Sequence, residues 1–225
     1  MLFLVMFISG LLFGDILIKI IKHTANLILI ENNIKKSDFY GNKFFNIVLV
    51  LIKFLSGLFL VLCYLKFGFG INCLCAFLFL GALLIISVID SYFMIILDEI
   101  IFFLCLLSFY FASVNLGAIK FLDRIAGLIL ISGFMCLINL FKKDSFGFGD
   151  IKLVAISGFI FGIEKNFLVF IIAVMTASIF CVFMLLLSKK QFTDRIAFGP
   201  YICLGIAVNF FYGNEIILSY KSLFI

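Results

Sequence analysis

Residues 71–90 read INCLCAFLFLGALLIISVID, and this run decides the architecture: positions 71–89 carry no charge and Asp90 closes them. About 20 apolar residues in helical form cross the hydrocarbon core of a bilayer. The next residues, Ser91 to Leu97, are again largely apolar before Asp98, so Asp90 is a carboxylate flanked by hydrocarbon. A charge so placed costs about 2.5–3.5 kcal/mol on insertion scales and calls for a reason. Further apolar runs, separated by charged or glycine-containing clusters, extend the pattern to both ends of the chain. They predict spans at 2–21, 44–64, 71–92, 99–115, 122–141, 151–163, 166–188 and 199–218. The expected fold is all-α, a polytopic integral membrane helix bundle of about eight transmembrane helices. Seven is the alternative, because 151–163 is short and punctuated by glycine.

The composition agrees. With 66% hydrophobic and 13% charged residues in 225, and a mean hydropathy of +1.35, a water-soluble globule is excluded. Residues 1–225 are expected to form a single membrane-embedded domain. Its sizeable polar segment, 22–43, reads as a short cytoplasmic loop whose apolar centre, Leu27 to Ile30, lies on the membrane surface. The amino end lacks a basic segment and a small-residue cleavage site, and is read as a first span with its terminus outside. Lys22, Lys35, Lys36, Lys43, Lys142, Lys143, Lys152, Lys189, Lys190 and Arg195 then fall inside, against Lys66, Lys120, Arg124, Lys165 and Lys221 outside. That excess satisfies the positive-inside rule, so the net charge of +5 marks topology and no nucleic-acid partner is expected.

Counting removes most catalytic systems. All seven cysteines lie in apolar runs without a CxxC pair, so neither a disulfide framework nor a metal site is expected. A single histidine, His23, excludes an HExxH zinc site and leaves no basis for a serine–histidine dyad. No phosphate-binding glycine loop occurs. Carboxylates remain, with Asp90, Asp98, Glu99, Asp144 and Asp150 all at the cytoplasmic face of the expected topology. In one helix Asp90 and Asp98 would stand about 12 Å apart along the axis, so a partner for Asp90 has to come from another helix. Asp150 is the evident one, preceded by Gly147-Phe148-Gly149, where two missing side chains let another segment approach the backbone.

These residues resemble the type IV prepilin peptidases, membrane aspartyl proteases of the GxGD type, over most of the chain from about 81 onward. That family's first motif is similar to Ile89-Asp90 followed at the same spacing by Ile96-Leu97-Asp98, with Leu97 in place of the usual proline. Its second resembles Gly147-Phe148-Gly149-Asp150-Ile151-Lys152-Leu153, with Gly158 and Gly162 beyond. The third resembles Phe198-Gly199-Pro200-Tyr201 at the start of the last span, where proline's missing N–H costs little. Presenilin-like proteins share Gly-x-Gly-Asp, but their Tyr-Asp and Pro-Ala-Leu motifs are absent. Archaeal preflagellin peptidases are closer.

The resemblance implies a membrane endopeptidase of the cell membrane with its active site facing the cytoplasm. It implies type IV prepilin or pseudopilin substrates, in pilus assembly or protein secretion, whose basic leader is removed by Asp90 and Asp150. Gly147, Gly149, Lys152, Asp98, Gly199 and Pro200 would support the motifs. Many bacterial members carry a larger cytoplasmic insert after the first span, with paired CxxC motifs that bind zinc, and also methylate the new amino terminus. The 22–43 loop contains no cysteine. No cofactor is expected for proteolysis and zinc is not expected. Methylation is expected to be absent or weak, and S-adenosylmethionine would serve only if that activity were retained. The alternative class is a small transporter or channel whose membrane acids bind cations, against which stands the gathering of acids at one face.

Overall fold

The computed structural model describes residues 2–31, 43–114, 119–142, 145–187 and 196–223. Asp38, Asp144, Lys35, Lys36, Lys143, Lys189, Lys190 and Arg195 lie outside the described residues. Every described element is helical: α1 (Leu2–Glu31), α2 (Lys43–Phe67), α3 (Ile71–Phe93), α4 (Asp98–Ser113), α5 (Phe121–Phe141), α6 (Phe148–Leu186) and α7 (Gly199–Ser222). Six are long and apolar enough to cross a membrane. The chain is a polytopic helical membrane protein. The exception is α4, expected as a span over 99–115. Its 16 residues rise only about 24 Å, less than the hydrocarbon thickness of about 30 Å.

Two expectations change. The loop placed at 22–43 begins later, because α1 continues to Glu31. Nothing between Ile21 and Glu31 breaks a helix, and Ala25, Ile28 and Leu29 are buried. Leu27 to Ile30 therefore belongs to α1 and not to a separate surface helix. The spans expected at 151–163 and 166–188 form one run, α6, interrupted at Gly162, whose φ of 76° and ψ of −175° are not helical. That region is essentially open to glycine alone. The interruption is a sharp bend: the Ser157 hydroxyl meets Asn166 Oδ1 at 2.5 Å, although nine residues of straight helix would separate them by about 13.5 Å. Among the described residues, counting α6 as one run gives seven helices, and counting its two arms gives eight segments.

The described chain divides into two compact units, Met1–Ile89 and Asp90–Ile225, with the boundary in the last turn of α3. In the first, α1 and α2 pack through small residues. A Cβ on Gly10 would stand 2.7 Å from the Gly57 Cα, and the Ser56 hydroxyl donates to the Gly10 carbonyl at 2.8 Å. Lipid tails are as apolar as leucine, so helices in a bilayer associate through such close packing and through hydrogen bonds. Asp15 of α1 forms an ion pair with Lys53 of α2, which answers the cost of placing either charge in an apolar span.

In the second unit several polar groups point inward while many large apolar side chains face outward. Ile171, Met175, Ile179 and Phe183 of α6 are exposed, whereas Ser157, Asn166 and Arg124 are buried. Arg124, counted from the sequence among the basic residues of the outer side, is 2% exposed. Its guanidinium donates to the carbonyls of Phe159 at 3.1 Å and Ile160 at 2.9 Å. These carbonyls lie just before the break at Gly162, where helical partners for them are lost. The Asn166 amide donates to the Gly127 carbonyl at 2.9 Å. At this junction a Cβ on Gly158 would lie 2.1 Å from the Gly127 oxygen, so α5 and the first arm of α6 meet backbone to backbone.

Candidate active site

The short first arm of α6 carries Asp150 in its first turn. Asp90 stands in the last turn of α3. They are 9% and 5% exposed, and both line a cavity of about 450 Å³ together with Met94, Phe146, Gly147 and Phe198. Both belong to the second unit.

Local chain chemistry puts them there. The Met94 N–H donates to the Asp90 carbonyl at 2.9 Å, and Met94 takes a φ of 54°, a left-handed cap that ends α3. Four residues later α4 begins, with Asp98 and Glu99 in its first turn, where the helix macrodipole favours acids. Leu97, standing where the resembled family has proline, has φ −73° and ψ 131°. A proline ring would impose nearly the same φ. The backbone shape is kept without the ring.

The glycines answer to steric need. A Cβ on Gly149 would stand 2.7 Å from the Ile96 Cβ, so the connector between α3 and α4 lies directly against the start of α6. A second tie joins them, the Lys152 ammonium donating to Asp98 Oδ1 at 2.6 Å. The Gly199 N–H donates to Asp90 Oδ2 at 2.9 Å. A Cβ at 199 would fall 2.6 Å from that oxygen. Pro200 follows in the first turn of α7, where its missing N–H would have had no helical partner. Asp150 Oδ1 is buried without a hydrogen-bond partner among the described groups.

Of the residues singled out from the sequence, Asp90, Gly147 and Asp150 line the cavity, Gly199 is bonded to Asp90, Gly149 lies against Ile96, and Asp98 and Lys152 pair with each other on exposed side chains. Asp98 is engaged by Lys152 and is not a free acid. Glu99 is exposed in the first turn of α4, and Asp123 is exposed beside Gly162. Among the described residues no group of three or more His, Cys, Asp or Glu is arranged to hold a metal ion.

Sequence reasoning passed over Phe146, whose ring packs on Phe198 with centroids 5.8 Å apart, and Asn139, which binds the Phe146 backbone. It also passed over Asn166 and Ser157. The available signal was a lone amide in an apolar run, as in Leu137-Ile138-Asn139-Leu140, since a polar group in a membrane span is buried at a cost unless partnered.

An all-helical membrane protein with two buried carboxylates from separate helices at one cavity is the class defined so far. Residues 77–182, which contain both aspartates, match the model of the type IV leader peptidase family. The chain is also 28% identical over 159 residues to the prepilin leader peptidase/N-methyltransferase of Bacillus subtilis (strain 168). That match covers 69% of this chain and 62% of the relative, so it spans less than two thirds of the relative's length. No solved structure matches the chain.

Proposed function

We propose that this protein is a membrane aspartyl endopeptidase that cleaves the basic leader from type IV prepilin or pseudopilin precursors at the cytoplasmic face of the cell membrane. The observation that carries the reading is the meeting of Asp90 and Asp150, each buried and each from its own helix, at one cavity. Two buried carboxyls lining one cavity do not ionise together easily. The pair holds one proton between them: the protonated member polarises the scissile carbonyl, and the carboxylate takes a proton from the attacking water. Collapse of the resulting tetrahedral species passes a proton to the leaving amine and regenerates the pair.

The surroundings serve that chemistry. The Gly199 N–H fixes the orientation of Asp90, the Gly147–Gly149 turn fixes Asp150, and the Asp98–Lys152 pair holds the connector against the α6 start. A substrate with a cationic leader and an apolar helix would keep the helix in lipid while its cleavage site enters the cavity. The test is hydrolysis of a purified prepilin by the protein in detergent. Asp90→Asn and Asp150→Asn are each expected to lower kcat by about 10²–10⁴-fold. Near-normal turnover in either variant would overturn the assignment.

A further inference from the structure

We infer that Asn139 is the positioning residue of the turn that presents Asp150, a role that rests on the peptidase reading above. Asn139 lies in the last turn of α5, on a half-buried side chain. Its carboxamide uses both ends on one residue of the returning chain. Nδ2 donates to the Phe146 carbonyl at 2.8 Å, while the Phe146 N–H donates to Oδ1 at 2.9 Å. The side chain thus acts as one rung of an antiparallel ladder, seven residues upstream of its partner. Immediately afterwards Gly147 is extended, with φ −64° and ψ 143°, and α6 starts at Phe148. With both backbone groups of Phe146 held, the chain enters that helix in a set direction, and Asp150 follows from it.

The same clasp reaches the other carboxylate. Phe146 held in place sets its ring against Phe198, and Phe198 directly precedes Gly199, the donor to Asp90 Oδ2. One amide therefore supports both sides of the cavity without touching either aspartate. The chemistry is particular to asparagine. Aspartate keeps the acceptor but replaces the donor with an oxygen facing a carbonyl, leucine keeps the shape and loses both bonds, and glutamine keeps both groups on a longer stem.

The chain contains no tryptophan, so Phe146→Trp creates a single fluorescent reporter in the turn. In that background Asn139→Leu and Asn139→Asp are expected to red-shift the emission and raise acrylamide quenching. In the native background both are expected to lower kcat at least about tenfold, because small misplacements of a catalytic group are costly. KM should stay within about threefold and Asn139→Gln should recover part of kcat. Amide hydrogen exchange of the peptide around Phe146, faster in Asn139→Leu than in the unaltered protein, gives the same answer should the tryptophan variant fail to fold. Unchanged exchange or quenching, or kcat within about threefold in both variants, would overturn the inference. So would losses of kcat that simply follow a lowered melting temperature. If the unaltered protein cleaves no prepilin, the peptidase reading falls, while the fluorescence and exchange results still decide whether Asn139 holds the turn.

Discussion

A Cβ at position 199 would stand 2.6 Å from Asp90 Oδ2 and 3.0 Å from its Cγ, with the carboxylate as the nearest obstacle. Something must move, and the carboxyl group is what the site needs fixed. Gly199→Ala is therefore expected to lower kcat by about tenfold or more while costing about 1–3 kcal/mol of stability from overpacking. Prepilin cleavage beside thermal unfolding in detergent checks both. Full activity would mean that the Gly199 contact does not orient Asp90. The contrast with Gly68 is instructive, since a Cβ there meets nothing within 4 Å. The copy of Phe-Gly-Phe-Gly at 67–70 ends a helix in the open, whereas the copy at 146–149 sits against Ile96. Identical tetrapeptides take their meaning from what approaches them.

At the scale of elements, the broken helix α6 decides where Asp150 stands. Its first arm has an acid at the N-terminal end and the Arg124 guanidinium on carbonyls near its C-terminal end, the two charges that the macrodipole favours at those places. Arg124→Leu leaves those buried carbonyls without their donor and is expected to cost about 1–3 kcal/mol. Gly162→Ala forces a side chain into the same non-helical backbone and is expected to cost about 1–3 kcal/mol. Thermal melts would measure each, and a melting temperature unchanged in both variants would show that the break is not built as described. The sequence made the helices legible because apolar runs of about 20 residues have few other solutions in lipid, and it made the aspartates legible because hydrocarbon isolates a charge. The bend was legible only as a weak span, since a glycine in an apolar run reads alike whether it packs or turns. The inward roles of Arg124, Asn139 and Asn166 were hidden for another reason: a side chain's partner lies on a different helix, and no spacing within one run encodes it.

At the scale of the whole molecule, the division of labour between lipid and protein bears on what the chain can do besides hydrolysis. Extension of α1 to Glu31 leaves residues 32–42 between the first two helices, and that stretch holds no cysteine and no histidine. It therefore lacks the thiols and imidazoles that most often hold zinc. The hydrolysis proposed above draws on Asp90 and Asp150, which lie outside that stretch. The relative from Bacillus subtilis carries both peptidase and N-methyltransferase in its name. For this chain the expected outcome is separation of the two: a host expressing it as the sole leader peptidase should yield mature pilin with an unmethylated amino terminus. Treatment of the purified enzyme with a strong chelator should leave cleavage unchanged. Intact-mass measurement of the mature pilin decides the first point. A stoichiometric gain of one methyl at the new amino terminus, absent without the enzyme, would mean that a methyl-donor site exists on residues other than a cysteine-stapled loop.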